Sequence, residues 1–372
     1  MALKEFGFWV YTCPRSGRES HYEEKDWELL LDDMASAGMN SLAMVIKWYT
    51  TGYKSSLDWL DQDVSGSSIV AKGNGLLRRV VEMAHERKIK VWLVVVCSFY
   101  QIKEFGIVPP NGQKGAFHYD PDWPGVMDRT CLMFKEISEI FGDVADGMVV
   151  EIESVEFDWP HRIPLYNEWA KANQRPAYGE IKLQHMDARA YQKHDWRDFL
   201  TERRCLAMKE IEKTVRASGF KGKMSMICES CNERGCYTQA VNLEQYHKTV
   251  PGWAAVTYDY WRYRNRLAGV DFCMEQPRLA GIETYFLGRG VMSYDWKDMT
   301  IPLEAHWEID LEDVEKYQPD GFWFFASDSD EVDNWQSCVS ELKNIGFANG
   351  LQARKRLLEL CGKRRLLKGV PR

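Results

Sequence analysis

The chain has 372 residues, 45% hydrophobic and 28% charged, which is ordinary globular usage and excludes intrinsic disorder. A net charge of -7 with dispersed Lys and Arg excludes an extended nucleic-acid footprint; the basic run Lys363, Arg364, Arg365 and Lys368 reads as a solvated helix end. No stretch approaches the ~18 continuous apolar residues of a membrane span, and Met1 to Thr12 has no apolar leader, so a soluble, cytoplasmic chain is expected. Ten cysteines in a chain this long make no dense disulfide framework; Cys97 and Cys205 fall in apolar patterns and read as reduced, buried thiols.

Short β-rich runs alternate with longer helical patterns, which argues for a parallel sheet. Strand 1 is expected at Phe8 to Thr12, followed by a helix over Asp26 to Ala37 with Trp27, Leu30, Leu31 and Met34 on one face. Strand 2 is expected at Ser41 to Trp48, then a helix carrying Leu77, Val80, Val81 and Ala84, then strand 3 at Val91 to Phe99. A helix over Val126 to Phe141 precedes strand 4 at Met148 to Glu153. Residues 154–195 form an insertion with Trp159, Tyr166, Trp169 and Tyr178, read as a lid or wall over a substrate. A helix over Trp196 to Ala217 follows, then strand 5 at Lys223 to Glu229 and strand 6 at Ala254 to Tyr260. Pro277, Leu279, Ile282, Tyr285 and Phe286 have helical spacing that ends at Gly288, which puts strand 7 at Val291 to Trp296. Strand 8 is expected at Gly321 to Ser327, with a basic helix or tail from about residue 350.

Eight strands with intervening helices predict an α/β chain folded as one (β/α)8 TIM barrel over residues 1–372, with long βα loops, notably after strand 4. In such a barrel the active site is built at the C-terminal ends of the strands.

Strand alternation then selects candidate side chains. In strand 4, Met148, Val150 and Ile152 share one face and Val149, Glu151 and Glu153 the other. The outer face packs on apolar helices, where an unpaired carboxylate would cost several kcal/mol, so both glutamates are expected to face the lumen, about 6.6 Å apart along the strand. One carboxylate then raises its neighbour's pKa, as a general acid requires near neutral pH. The same test puts Glu229, Asp259 and Asp295 at inward ends of strands 5, 6 and 7, with Asp328 following strand 8. The 15 Trp and 17 Tyr supply flat faces suited to the C–H side of a pyranose.

The run Asp146-Gly147-Met148-Val149-Val150-Glu151-Ile152-Glu153 resembles the strand 4 signature DGxDxDxE of chitinase-like glycoside hydrolases and the DGxxxNxE pattern of endo-β-N-acetylglucosaminidases. Val256-Thr257-Tyr258-Asp259 resembles their strand 6 run MxYD, and Gly321 through Trp323 and Phe325 to Asp328 resembles their strand 8. The resemblance implies that Glu153 protonates the leaving oxygen, Glu151 stabilises the developing positive charge, and Tyr258 with Asp259 orients the reacting group. Val149 and Glu151 depart from the pattern, which leaves substrate assistance by an acetamide open and makes Glu229 the alternative second carboxylate. A carbohydrate is the expected partner, contacted by Tyr258, Lys47, His118, Trp159, Asp295, Trp323 and Asp328, with no cofactor and no metal.

Two alternatives stand beside the hydrolase: a metal-dependent sugar isomerase or epimerase built on Glu153, Glu229, Asp259 and Asp328, and a glycan-binding barrel without chemistry. Cys228-x2-Cys231-x4-Cys236 lacks the second pair of a zinc site, and Gly66 to Gly75 contains no phosphate-binding glycine pattern.

Overall fold

The computed structural model describes residues 3–13, 18–48, 51–60, 73–97, 121–152, 161–178, 193–229, 242–258, 270–291, 302–325, 327, 347, 350–364 and 366. Eight parallel strands close into a barrel in chain order: β1 Glu5–Tyr11, β2 Ser41–Lys47, β3 Lys90–Val96, β4 Gly147–Glu151, β5 Lys223–Glu229, β6 Ala254–Tyr258, β7 Thr284–Arg289 and β8 Gly321–Phe325. A 3-10 turn, Arg18–His21, follows β1. The helices described are α1 Glu24–Ser36, α2 Asn74–Glu86, α3 Val126–Phe141, α4 Arg162–Ala172, α5 Lys193–Ala217, α6 Leu243–Thr249, α7 Val270–Leu279, α8 Leu303–Tyr317 and α9 Gly350–Arg364. This is the (β/α)8 architecture.

The helices dock through the stripes read from the sequence. Trp27, Leu30, Leu31 and Met34 of α1, and Leu77, Val80, Val81 and Ala84 of α2, are buried in one apolar shell with Met148, Val150 and Ile152 from the outer face of β4. That shell is one core and the lumen is a second.

Strand 7 lies earlier than expected. The run Thr284–Arg289 is strand and not helix, so Tyr285 and Phe286 belong to β7, while Val291 follows it. The helix stops at Leu279 because Gly281 takes φ +75°, its N–H bonding Arg278 O at 3.0 Å while Ile282 N bonds Pro277 O at 2.9 Å. This left-handed glycine ends the helix and turns the chain into the strand. Asp295 therefore does not end β7; it lies outside the described residues, and Arg289 ends that strand.

The register around the barrel amounts to a stagger of one residue per strand, which sorts lumen positions into tiers contributed by alternate strands. Glu5, Lys90, Lys223 and Glu283 ring the bottom, where Lys90 pairs with buried Glu5 at 3.0 Å and Lys223 with Glu283 at 2.9 Å. Above them Trp92, Tyr285 and Trp323 fill the lumen; Trp92 Nε1 donates to Glu5 at 2.7 Å and Trp323 Nε1 to Ser41 Oγ at 3.0 Å. Trp9, Val94, Ile227 and Leu287 form the middle tier, followed by Val45, Glu151, Tyr258 and Phe325. Tyr11, Val96 and Arg289 come next, at the level where β5 ends at Glu229.

Candidate active site

Above the middle tier, at the C-terminal mouth, β4, β6 and β7 place Glu151, Tyr258 and Arg289, while β8, β1 and β3 place Phe325, Tyr11 and Val96. Glu151 shares a face with Val149, which lies in the lumen cluster, and is partly exposed, unlike the fully buried residues beneath it. The expected inward parity of strand 4 therefore holds as far as Glu151. Cys97 N bonds Glu151 O at 2.7 Å, fixing the end of β4 against the end of β3. Glu153 lies outside the described residues, as do His118, Trp159, Asp259 and Asp328.

Tyr258 is buried in the lumen, in register with Glu229, the last residue of β5. Lumen positions of β6 are 254, 256 and 258, whereas Thr257 faces outward and donates its hydroxyl to Cys273 O at 3.0 Å. Tyr258 is thus the inward residue at the end of β6, and in Ala254–Tyr258 apolar residues occupy both faces, so polarity marks neither.

Lys47 is almost fully buried after an irregularity in β2 between Val45 and Lys47, and its ammonium donates to Trp48 O. Burial pushes the Cys13 thiol up to about 12 against the opposing pull of Lys47. Cys97 is likewise raised by burial, with charges on Lys47, Glu151 and Arg204 acting on it.

Trp323, expected at the rim, belongs to the lower lumen instead. It is stacked on Tyr285 with centroids 4.7 Å apart, so its faces are taken by protein. The rim aromatics of this half are Tyr11, Phe325 and Trp48: Tyr11 meets Phe325 edge-on at 5.5 Å and Trp48 at 5.3 Å. Among the aromatics of the insertion, Tyr166 is buried with Trp196 and Phe199 of α5, and Trp169 and Tyr178 pack on that cluster, so these three rings form the insertion's own core. The described part of the insertion is thus held to α5 by apolar packing. Asp122 reinforces it, meeting Arg203 of α5 at 2.5 Å and Arg162 of α4 at 3.7 Å.

Two cations escaped the sequence reading. Arg289 follows Leu287 on the lumen face of β7, and its backbone N–H bonds Asp310 of α8 at 2.8 Å. It was hidden by the misplaced helix. Arg204 of α5 is buried behind the end of β4 and donates to Ile152 O; an isolated arginine on a helix carries no signal of such a role. Across the mouth, Ser327 donates its hydroxyl to buried Glu19 at 2.6 Å, tying the end of β8 to the turn after β1.

Among the described residues no group of three His, Cys, Asp or Glu is placed to hold a metal ion, and no helix is long and apolar enough to cross a membrane. Cys228 lies on the outer face of β5; Cys231 and Cys236 fall outside the described residues.

No protein-family model matches the chain, and no curated protein is matched by it. Solved structures are matched. The glycoside hydrolase domain of PgaB (BpsB) from Bordetella bronchiseptica aligns over 92% of this chain and 98% of its own, with a TM-score of 0.58 and 13% identity. These likenesses establish a shared fold. The beta-galactosidase of the psychrophilic Marinomonas ef1 aligns over 95% of this chain at a TM-score of 0.63 and 11% identity, and that of Rahnella sp. R3 over 99% at 0.63 and 12%. This chain spans 59% and 56% of those two proteins. The structural neighbours are TIM-barrel glycoside hydrolases at low identity, and the narrower likeness to chitinase-like enzymes stays with the motifs of β4, β6 and β8.

Proposed function

We propose that the protein is a glycoside hydrolase that cleaves a glycosidic bond by carboxylate chemistry at the C-terminal mouth of the barrel. The observation that carries this reading is Glu151: a partly exposed carboxylate on the lumen face of β4, above a closed aromatic floor and in one tier with Tyr258. A lumen filled from the bottom to the middle tier leaves only the mouth for a ligand, and a carboxylate there is placed for charge stabilisation. The fold shared with glycoside hydrolases of several kinds supports the same reading.

In this proposal Glu153 donates a proton to the leaving oxygen and Glu151 stabilises the oxocarbenium-like transition state. Tyr258 orients the reacting group, with Asp259 beside it in sequence, and Glu229 is the alternative second carboxylate. Substrates with N-acetylhexosamine at the cleaved bond fit the resemblance of the β4 motif. Lys47, His118, Trp159 and Asp328 complete the proposed sugar contacts; Trp323 acts beneath the site, and Arg289 takes the place at the end of β7 expected of Asp295. The carboxylate chemistry proposed requires no cofactor or metal.

The test is hydrolysis of a panel of 4-nitrophenyl glycosides and N-acetylglucosaminides by the wild type, Glu151→Gln and Glu153→Gln. General acid chemistry predicts a loss of about 10²–10⁴-fold in kcat/KM for Glu153→Gln. Equal turnover by all three proteins would overturn the proposal.

A further inference from the structure

The end of β4 is held differently on its two sides. Toward β3 the ladder continues to the last strand residue: Val96 is in register with Glu151, and Cys97 N bonds Glu151 O at 2.7 Å. Toward β5, among the described residues, the register runs only from Gly147 opposite Lys223 to Val150 opposite Met226. Successive carbonyls of a strand point to opposite neighbours, so the Ile152 carbonyl faces the side where β5 has ceased to pair. A buried carbonyl there needs another donor.

Arg204 supplies it. The residue is 3% exposed on α5, and its Nη2 donates to Ile152 O, the carbonyl of the residue that separates Glu151 from Glu153. Its surroundings are the inner face of α5, the buried Tyr246 of α6 and the outer face of β5; burial pushes the Tyr246 phenol up while the neighbouring guanidinium pulls it down. A cation this deeply placed is costly to desolvate and is retained where its planar donors meet fixed acceptors. A lysine has no planar fork with which to span two directions.

We infer that Arg204 is a positioning residue: its guanidinium replaces the missing β5 backbone donor and fixes the end of β4 that carries Glu151 and leads to Glu153. The inference deepens the glycosidase reading, on which its catalytic consequence rests. The geometric part stands apart from it.

The experiment follows amide hydrogen exchange and turnover in the wild type, Arg204→Met and Arg204→Lys. Loss of the donor accelerates exchange across residues 148–153 at least tenfold in Arg204→Met, and less in Arg204→Lys, while the β8 segment 321–325 keeps its protection. On a 4-nitrophenyl glycoside turned over by the wild type, kcat falls at least tenfold in Arg204→Met with KM within twofold, and Arg204→Lys recovers part of the loss. If Arg204→Met fails to fold, Arg204→Lys decides by the same local comparison. Unchanged exchange at 148–153 overturns the inference whatever the activity. Faster exchange with unchanged kcat overturns the positioning role. A wild type that turns over no glycoside, with the exchange difference intact, removes the glycosidase reading and leaves Arg204 as the anchor of β4.

Discussion

Tyr285 and Trp323 lie face to face in the lumen, 4.7 Å between centroids and 14° between planes, with Trp92 edge-on to both at 5.3 and 5.7 Å. The trio fits because small residues stand beside it on neighbouring strands. A Cβ at Gly147 would come within 2.2 Å of the Trp92 ring, and one at Gly321 within 2.2 Å of Tyr285. The floor of the barrel is thus a jigsaw of large rings over glycines.

Gly147→Ala and Gly321→Ala are therefore expected to destabilise by overpacking, by about 1–3 kcal/mol each. The rings are locked by their own stacking and by the hydrogen bonds of Trp92 and Trp323, so they have little room to yield. Urea unfolding midpoints measure the effect. A loss under about 0.5 kcal/mol at both glycines would mean that the rings are loosely held.

Stability and activity separate between the floor and the mouth. Trp323→Ala removes a fully buried ring and is expected to cost about 3–5 kcal/mol with KM unchanged in whatever protein remains folded. Glu151→Gln is expected to do the reverse: a partly exposed carboxylate exchanged for its isostere alters the unfolding temperature by a few degrees at most while turnover collapses. Thermal unfolding and steady-state kinetics on both variants check this. A raised KM in Trp323→Phe, with stability intact, would return that tryptophan to the sugar site.

The sequence discloses faces more readily than heights. Val149 and Glu151 could be assigned to the lumen because Met148, Val150 and Ile152 mark the helix-facing side as apolar. Trp323 and Phe325 share a face too, yet only register with β1 and β2, a relation between distant segments, shows one near the bottom and the other at the rim. In β6 both faces are apolar, so polarity alone does not tell the lumen side from the helix side, and Tyr258 is known to face inward only from its packing in the lumen. In the segment before β7, Leu279, Ile282, Tyr285 and Phe286 fit a helical period by coincidence, while Gly281, the residue that breaks the helix, stood two residues past its end. Arg204 was illegible for a further reason: its acceptor is a backbone carbonyl 52 positions away.

The buried thiols predict an alkaline limit. Cys13 is pushed up to about 12 by burial, against an ordinary value near 9. The folded state therefore keeps the thiol protonated while the unfolded chain ionises it. This contribution to stability is complete below about pH 9 and is lost as the pH rises toward 12. Urea midpoints at pH 8, 9, 10 and 11 are expected to fall, and Cys13→Ala to fall less steeply. Alkylation at pH 8 followed by peptide mapping should leave Cys13, Cys97 and Cys361 unlabelled in the native protein. Rapid labelling of Cys13 at that pH would contradict its burial.

The docking of α4 on α5 depends on Asp122. Its side chain is 1% exposed, as is that of Arg162, and it joins the latter to Arg203, linking the segment before α3 to α4 and α5. Replacing it with alanine removes the carboxylate that both guanidinium groups approach, and breaking a buried pair such as Asp122 with Arg162 costs about 3–5 kcal/mol. The exposed pair Lys248 and Glu244, 2.7 Å apart, is the contrast: solvent screens it, so Lys248→Ala is expected to change stability by less than about 1 kcal/mol. The apolar cluster of Tyr166, Trp196 and Phe199 holds α4 to α5 independently of the charges. The damage in Asp122→Ala should therefore concentrate in faster exchange across 162–172, with β1 to β3 protected as before. The double variant Asp122→Leu/Arg162→Met removes both charges and should recover most of the stability lost in the single one. A double variant no better than Asp122→Ala would mean that this aspartate anchors α4 through contacts other than its charge.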